Sequence, residues 1–308
     1  MTRLAPSPTG ALHLGNARTF LINWLLARQL GWRIILRIED LDGPRIKRGA
    51  DRAAIEDLQW LGLDWDDGPI YQSTRLPIYR EAVEQFVAKK QAYPCICTRK
   101  EVDSAASAPH AEDGANVYPG TCRGRFESLA EAIEGGRPAA IRFDTRDAVV
   151  EFDDTFAGHQ RFDVERQLGD FVIAKADGTP AYQLAVVVDD AAMGVTDIVR
   201  GDDLIDSTPR QILLYRALGL DDRIPRYCHV PLVVGTDGRR LAKRHGDTRL
   251  ATYRSAGVTT GQILKLLGRW CGIENIADVT GARDLVGRFD LARLPRTNIV
   301  FDPTRELL

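Results

Sequence analysis

The order of apolar and polar positions predicts a strand, a loop, a helix and a second strand within the first 38 residues. Leu4 begins a short apolar segment that stops at Pro6-Ser7-Pro8-Thr9-Gly10, where two prolines and a glycine forbid regular structure. Ala17, Phe20, Leu21, Trp24 and Leu25 then recur at helical spacing, with Asn16 placed to cap the start and Gly31 to end the helix. Residues 33–38 read as a largely buried strand. This βαβ order predicts an α/β fold whose opening half is an open parallel sheet, with ligands at the carboxyl ends of its strands.

Further along, helices are expected at residues 50–61 and 76–91. An irregular stretch at 93–125 contains three of the five cysteines and reads as an insertion. Strand-like segments follow at 139–143, 171–175 and 182–188, with a turn at Asp177-Gly178-Thr179-Pro180, and another at 230–234. From Thr248 the pattern is helical, with Ile263, Leu264, Leu266, Leu267 and Trp270 on one face, predicting a small C-terminal helical subdomain. The expected divisions are residues 1–92, 93–170, 171–247 and 248–308, and the Ala/Ser-rich piece at 104–115 reads as a mobile loop.

Composition narrows the function. In 308 residues, 41 Lys plus Arg stand against 43 Asp plus Glu, so the net charge of −2 advertises no polyanion partner and any nucleic-acid contact must come from local patches. The N-terminus has no apolar export segment, and the stretch at 20–36 is interrupted by Asn23, Arg28, Gln29 and Arg33, which argues against a membrane span. An odd number of unevenly spaced cysteines fits reduced thiols or a metal site rather than a disulfide framework, and with it a cytoplasmic location.

Candidate chemistry starts at His13-Leu14-Gly15-Asn16, where an imidazole and a side-chain-free backbone meet a helix N-terminus, a place that attracts phosphate. His13 can donate to a triphosphate, and Gly15 leaves room for a flat adenine; the plainer alternative is a helix cap with an exposed histidine. The wider string changes the balance. Arg3-Leu4-Ala5-Pro6-Ser7-Pro8-Thr9-Gly10 followed by His13-Leu14-Gly15 resembles the HIGH region of class I glutamyl- and glutaminyl-tRNA synthetases. Arg240-Leu241-Ala242-Lys243-Arg244 resembles their KMSKS loop, with Ala242 where the family carries a serine. Alone, it would pass for a solvated basic hairpin. Arg37-Ile38-Glu39-Asp40, residues 180–190 and residues 198–204 resemble further blocks of the same catalytic domain.

The resemblance implies a Rossmann-like parallel sheet and carries roles onto particular positions. Arg3, Leu4, Ala5, Pro6, Ser7, Glu39, Tyr182 and Arg200 would line a glutamate pocket, with Glu39 on the ammonium and the guanidiniums on the carboxylates. His13, Gly15 and Lys243 would hold ATP, and His13 and Lys243 would be catalytic, Lys243 neutralising charge as pyrophosphate departs.

In the insertion, Cys95 and Cys97 lie two apart, and Cys122 follows Tyr118 by four. A structural zinc site wants four ligands, so the fourth is open. His110 is the generic choice, and the resemblance to the family's zinc-binding insertion favours Tyr118. Three buried reduced cysteines are the plainer alternative, whereas Cys228 and Cys271 have no partner at metal spacing and read as packing residues.

Full glutamyl-tRNA synthetases continue into anticodon-binding domains, and the stretch beyond residue 247 is too small for one. That organisation resembles the truncated branch of the family, the glutamyl-queuosine tRNA(Asp) synthetases. It implies activation of L-glutamate with ATP and Mg²⁺ before tRNA is needed, transfer to queuosine at the wobble position of tRNA(Asp), a structural Zn²⁺ and a monomer. The rival readings are charging of a tRNA 3′ end, a non-catalytic RNA-binding paralogue, and a ligase acting on a small amine.

Overall fold

The computed structural model describes residues 1–106, 117–239, 241 and 247–303. Strand β1 (Thr2–Leu4), helix α1 (Leu14–Leu30) and strand β2 (Ile34–Ile38) form the expected βαβ unit, with parallel pairs Thr2 to Ile34 and Leu4 to Leu36. Asn16 does not cap α1. That role falls to His13, whose Nδ1 accepts from the amides of Gly15 at 3.1 Å and Asn16 at 3.3 Å, so the helix starts earlier than apolar spacing alone indicated. Gly31 closes it with φ 67°, a left-handed conformation that costs a glycine little. Leu21, Ile22, Trp24 and Leu25 are fully buried along α1, each contributing roughly 1.5–3 kcal/mol of transfer free energy.

Helix α2 (Ala50–Trp60) crosses to β3 (Asp67–Tyr71), which extends the parallel sheet beyond β2, and α3 (Leu76–Ala88) follows. Strand β4 (Ala92–Cys95) and helix α4 (Arg99–Ala106) occupy part of the stretch expected to be irregular. The Ala/Ser-rich piece lies largely outside the described residues, and so does His110. After α5 (Leu129–Ile133), β5 (Ala140–Phe143) pairs antiparallel with β4, and β6 (Val149–Asp154) and β7 (Gly158–Asp163) form a hairpin. Short α6 (Val164–Gln167) leads to β8 (Phe171–Ala174), which completes an antiparallel sheet in the order β4, β5, β8.

The segment expected as a strand at 182–188 is instead helix α7 (Tyr182–Met193). Its β-branched run Val186-Val187-Val188 suggested a strand, but a short, almost wholly apolar run cannot separate a buried strand from a buried helix by periodicity. Packing decides here: Leu184, Ala185 and Val187 share a core with Tyr79 and Phe86 of α3. Strand β9 (Asp197–Gly201) starts against β1, with the amides of Thr196 and Asp197 donating to Met1 O. Helix α8 (Ser207–Ala217) crosses to β10 (Arg226–Val230), parallel to β9. The single strand expected at 230–234 is broken by Pro231, which lacks an amide, and β11 (Val233–Val234) resumes after it.

Helices α9 (Leu250–Ser255), α10 (Thr260–Trp270) and α11 (Arg283–Val286) precede β12 (Ile299–Val300), which pairs with β11. A Thr259/Gln262 capping box starts α10, and Ile263, Leu264, Leu266 and Leu267 enter the same core as Leu21 and Trp24. Among the described residues no helix is long and apolar enough to cross a membrane.

On α2, Asp57 is buried with neither carboxylate oxygen hydrogen-bonded among the described residues and Arg254 of α9 3.6 Å away. Burial pushes its pKa from 3.8 up to about 6. A raised acid pKa means the folded protein binds the proton more tightly, so this group lowers stability as pH rises through roughly 4 to 6. Urea denaturation should show the stability of Asp57→Asn, relative to wild type, rising by roughly 2 to 3 kcal/mol between pH 4 and pH 7; a pH-independent difference would contradict this.

Candidate active site

The carboxyl ends of β1, β2 and β9 open onto one cavity of about 610 Å³, a volume suited to small ligands. Arg3, Ala5, Pro6 and Ser7 reach it from the end of β1, Glu39 from β2 and Arg200 from β9, while Tyr182 enters from the first turn of α7. Thr9, Gly10, His13, Gly15 and Asn16 line the side nearest α1. Leu4 and Leu14 lie in the core instead, and Pro8 is buried with its carbonyl accepting from Lys47 N. The Glu39 amide donates to Pro6 O at 3.1 Å, which ties the first loop to the end of the second strand.

His13 faces the cavity with its tautomer decided by the cap. Because Nδ1 accepts two backbone amides, a neutral ring carries its proton on Nε2. A Cβ on Gly15 would sit 3.1 Å from the His13 ring and 3.6 Å from Val233, so glycine lets the imidazole fold back over the helix start. The segment after the basic loop joins here as well: Leu14 N donates to Thr248 O, Leu250 N donates to Leu12 O, and His13 bridges Arg249. Arg240, Ala242, Lys243 and Arg244 lie outside the described residues, while Leu241 is buried in the main core.

Beneath the cavity is a buried charge network. Arg37 Nη1 donates to Asp190 Oδ1 at 2.5 Å and Nη2 to Glu39 Oε1 at 3.0 Å, with Asp189 at 3.9 Å. Asp190 also faces Arg3 Nε at 3.5 Å, and Asp189 accepts from Gln72, Arg75 and Tyr79. Burial opposes the charge on Arg37, but Asp190, then Glu39 and Asp189, outweigh it and raise its pKa. Glu39 is thus held by one oxygen while its side chain lines the cavity.

Away from the cavity, the sulfurs of Cys95, Cys97 and Cys122 lie within 4.8 Å of one another. The Tyr118 hydroxyl is 3.3 Å from Cys95 Sγ and 3.7 Å from Cys97 Sγ, and the Cys97 and Cys122 sulfurs are 3.5 Å apart. A tetrahedron with metal–sulfur bonds near 2.3 Å has edges of about 3.8 Å, so the three thiols stand close enough to share a metal ion, and the Tyr118 hydroxyl beside them accepts from the Cys122 amide at 2.8 Å. Gly169 packs against this site, where a Cβ would fall 3.0 Å from Tyr118 N. Cys228 and Cys271 are buried elsewhere in the core, as packing residues would be.

Comparison with known proteins gives the family. The family described as "tRNA synthetases class I (E and Q), catalytic domain" matches residues 1–305. The chain belongs to this family. It is 48% identical over 304 residues to the glutamyl-Q tRNA(Asp) synthetase of Symbiobacterium thermophilum, covering 96% of this chain and 93% of that protein. It is 44% identical over 306 residues to the glutamate–tRNA ligase of Geobacter sulfurreducens, covering 99% of this chain and 64% of that one. The crystal structure of a glutamate tRNA ligase from Elizabethkingia meningosepticum in complex with its amino acid superimposes with a TM-score of 0.82 at 28% identity, over 99% of this chain and 67% of that one.

This synthetase is therefore a ligase of the class I type, and part of its site was hidden from sequence reasoning. Arg37, Asp189 and Asp190 stand inside motif blocks with nothing in the sequence to mark them, yet they form the buried network that holds Glu39 and approaches Arg3. Asp154, Thr208 and His229 carried no sequence signal at all: they meet Arg200 only after β6, α8 and β10 have packed beside β9.

Removing one partner from a buried pair strands a charge, whereas an exposed pair is worth little. Urea denaturation should therefore place Asp190→Ala about 3–5 kcal/mol below wild type and Glu151→Ala, which removes the exposed pair with Arg161, within about 1 kcal/mol of it. Equal small losses would contradict the network.

Proposed function

We propose that this synthetase activates L-glutamate with ATP before any RNA binds, and then transfers the glutamyl group to queuosine at the wobble position of tRNA(Asp). The observation that carries the activation step is the convergence of Arg3, Arg200 and Glu39 on one cavity beside the His13-capped end of α1. Free glutamate presents two carboxylates and one ammonium; two guanidiniums and one carboxylate complement it. Each charge-assisted hydrogen bond contributes roughly 1.5–3 kcal/mol. Glutamine has only one carboxylate and would leave one guanidinium poorly paired.

In this reading an oxygen of the glutamate α-carboxylate attacks the α-phosphorus of ATP in line, and pyrophosphate leaves with Mg²⁺. His13 donates its Nε2 proton in a hydrogen bond to the phosphates, and Lys243 neutralises charge on the leaving group; one such oriented donor is worth roughly 10²- to 10³-fold in rate. A hydroxyl oxygen of the acceptor then attacks the acyl carbon, the bond from that carbon to the phosphate oxygen breaks, and AMP leaves with the hydroxyl proton on its phosphate. Positioning and charge stabilisation suffice, without a covalent enzyme intermediate.

Cys95, Cys97, Cys122 and the Tyr118 hydroxyl would hold a structural Zn²⁺. Bound there, zinc supplies folding energy to the insertion rather than chemistry. The protein would work as a cytoplasmic monomer.

The choice of queuosine as acceptor is supported by the near full-length match to proteins named glutamyl-Q tRNA(Asp) synthetase. Charging of a tRNA 3′ end is the second reading, favoured by 44% identity to a glutamate–tRNA ligase. Labelled glutamate offered to tRNA(Asp) with and without queuosine separates them. The proposal expects label only on the queuosine-containing tRNA, surviving periodate oxidation of the 3′ diol. Label on tRNA(Glu) that periodate abolishes would overturn it.

A further inference from the structure

Arg200 is gripped from behind by groups that no motif contains. His229 is its register partner in the parallel β9–β10 pair, and the side chains meet: Arg200 Nε donates to His229 Nε2 at 2.9 Å, and Nη2 donates to Thr208 Oγ1 at 2.8 Å. A guanidinium has only donors, so His229 Nε2 must offer its lone pair and the ring proton lies on Nδ1. That proton goes to Asp154 Oδ2, 2.6 Å away at the end of β6. Asp154 also accepts from the amides of Phe156, Ala157 and His229, which anchors it in the β6–β7 turn.

Burial and the charge of Arg200, against the bond to Asp154, lower the pKa of His229, so the imidazole is neutral. Burial works against the charge on Asp154, but the bonds from His229 and the turn amides outweigh it and lower its pKa, which keeps it ionised. Arg200 is 4% exposed, lines the cavity, and has a buried Nη1 with no hydrogen bond among the described residues.

We infer that Asp154 and His229 are positioning residues that hold the Arg200 guanidinium in a single orientation, with Nη1 kept for a carboxylate of the amino-acid substrate. The inference rests on the proposed role of Arg200 in binding glutamate. The neutral ring matters physically: a carboxylate placed directly on Arg200 would fix it equally well, but would set an anion against the place where the substrate's anion must come. An imidazole spacer gives a fixed acceptor and moves the compensating charge one ring away.

The test is glutamate-dependent ATP–pyrophosphate exchange, with KM measured for both substrates, together with the ring tautomer read from two-bond ¹⁵N–¹H spectra of the wild-type protein. His229→Phe is expected to raise KM for glutamate roughly 10- to 100-fold, the worth of one hydrogen bond to a charged group, with KM for ATP unchanged. His229→Gln, which retains an acceptor near Nε2, recovers most of that loss. Asp154→Asn should raise the same KM, because its amide donates to Nδ1 and forces the proton onto Nε2, facing Arg200. A folded His229→Phe with unchanged KM for glutamate would overturn the inference, and so would a wild-type His229 protonated on Nε2 at neutral pH. Should His229→Phe fail to fold, the tautomer and Asp154→Asn decide. Wild-type protein without glutamate-dependent exchange would instead overturn the functional reading, leaving the tautomer to judge the relay by itself.

Discussion

Arg37 is completely enclosed, and an enclosed guanidinium is tolerable only with its carboxylates in place. Asp190 and Glu39 supply hydrogen-bonded partners and Asp189 a third negative charge, from two different elements, β2 and α7. The pairing therefore fixes where α7 sits against the parallel sheet. It leaves Tyr182, at the start of that helix, and Glu39, at the end of that strand, on the same cavity as Arg3, whose Nε approaches Asp190. Three guanidiniums (Arg3, Arg37 and Arg75) face three carboxylates (Glu39, Asp189 and Asp190), so the floor beneath the cavity is close to neutral before a ligand arrives. Arg200, the remaining cavity guanidinium, is compensated only at the distance of an imidazole ring, and in the proposed function that is the charge offered to a substrate carrying one more negative than positive charge.

A second constraint joins the ends of the chain. The backbone at Leu12–Leu14 pairs with Thr248–Leu250, so the N-terminal end of α1 is built against the segment at 248–250 although more than 230 residues separate them. The C-terminal helices complete this arrangement rather than standing apart, because α10 packs into the core that holds α1 and Arg18 donates to the carbonyls of Pro231 and Trp270.

The opening βαβ unit was legible because its signals are local: two prolines and a glycine after Leu4, a helical repeat ended by Gly31, and an apolar strand. The cavity was legible where motifs marked it, since Arg3, Ser7, His13, Glu39, Tyr182 and Arg200 do meet there. Reading failed where tertiary packing overrode local pattern. Residues 182–188 look like a strand and fold as a helix because α3 and α8 pack against their apolar faces, and Asn16 lost the cap to a histidine whose ring turns back on the helix. The relay behind Arg200 was invisible because parallel pairing of β9 with β10, and the hairpin beside them, creates it from positions far apart in sequence. Tyr118 is an intermediate case: spacing left the fourth donor open, and the fold brings its hydroxyl to the thiols of Cys95 and Cys97 and to the amide of Cys122.

The central claim is that the charge balance of one cavity selects a doubly anionic amino acid without help from RNA. ATP–pyrophosphate exchange, run without RNA on L-glutamate and on L-glutamine side by side, tests it most directly. The account predicts exchange with glutamate and a kcat/KM for glutamine lower by at least about 100-fold; comparable exchange with both, or exchange with glutamate only once tRNA is added, would contradict it.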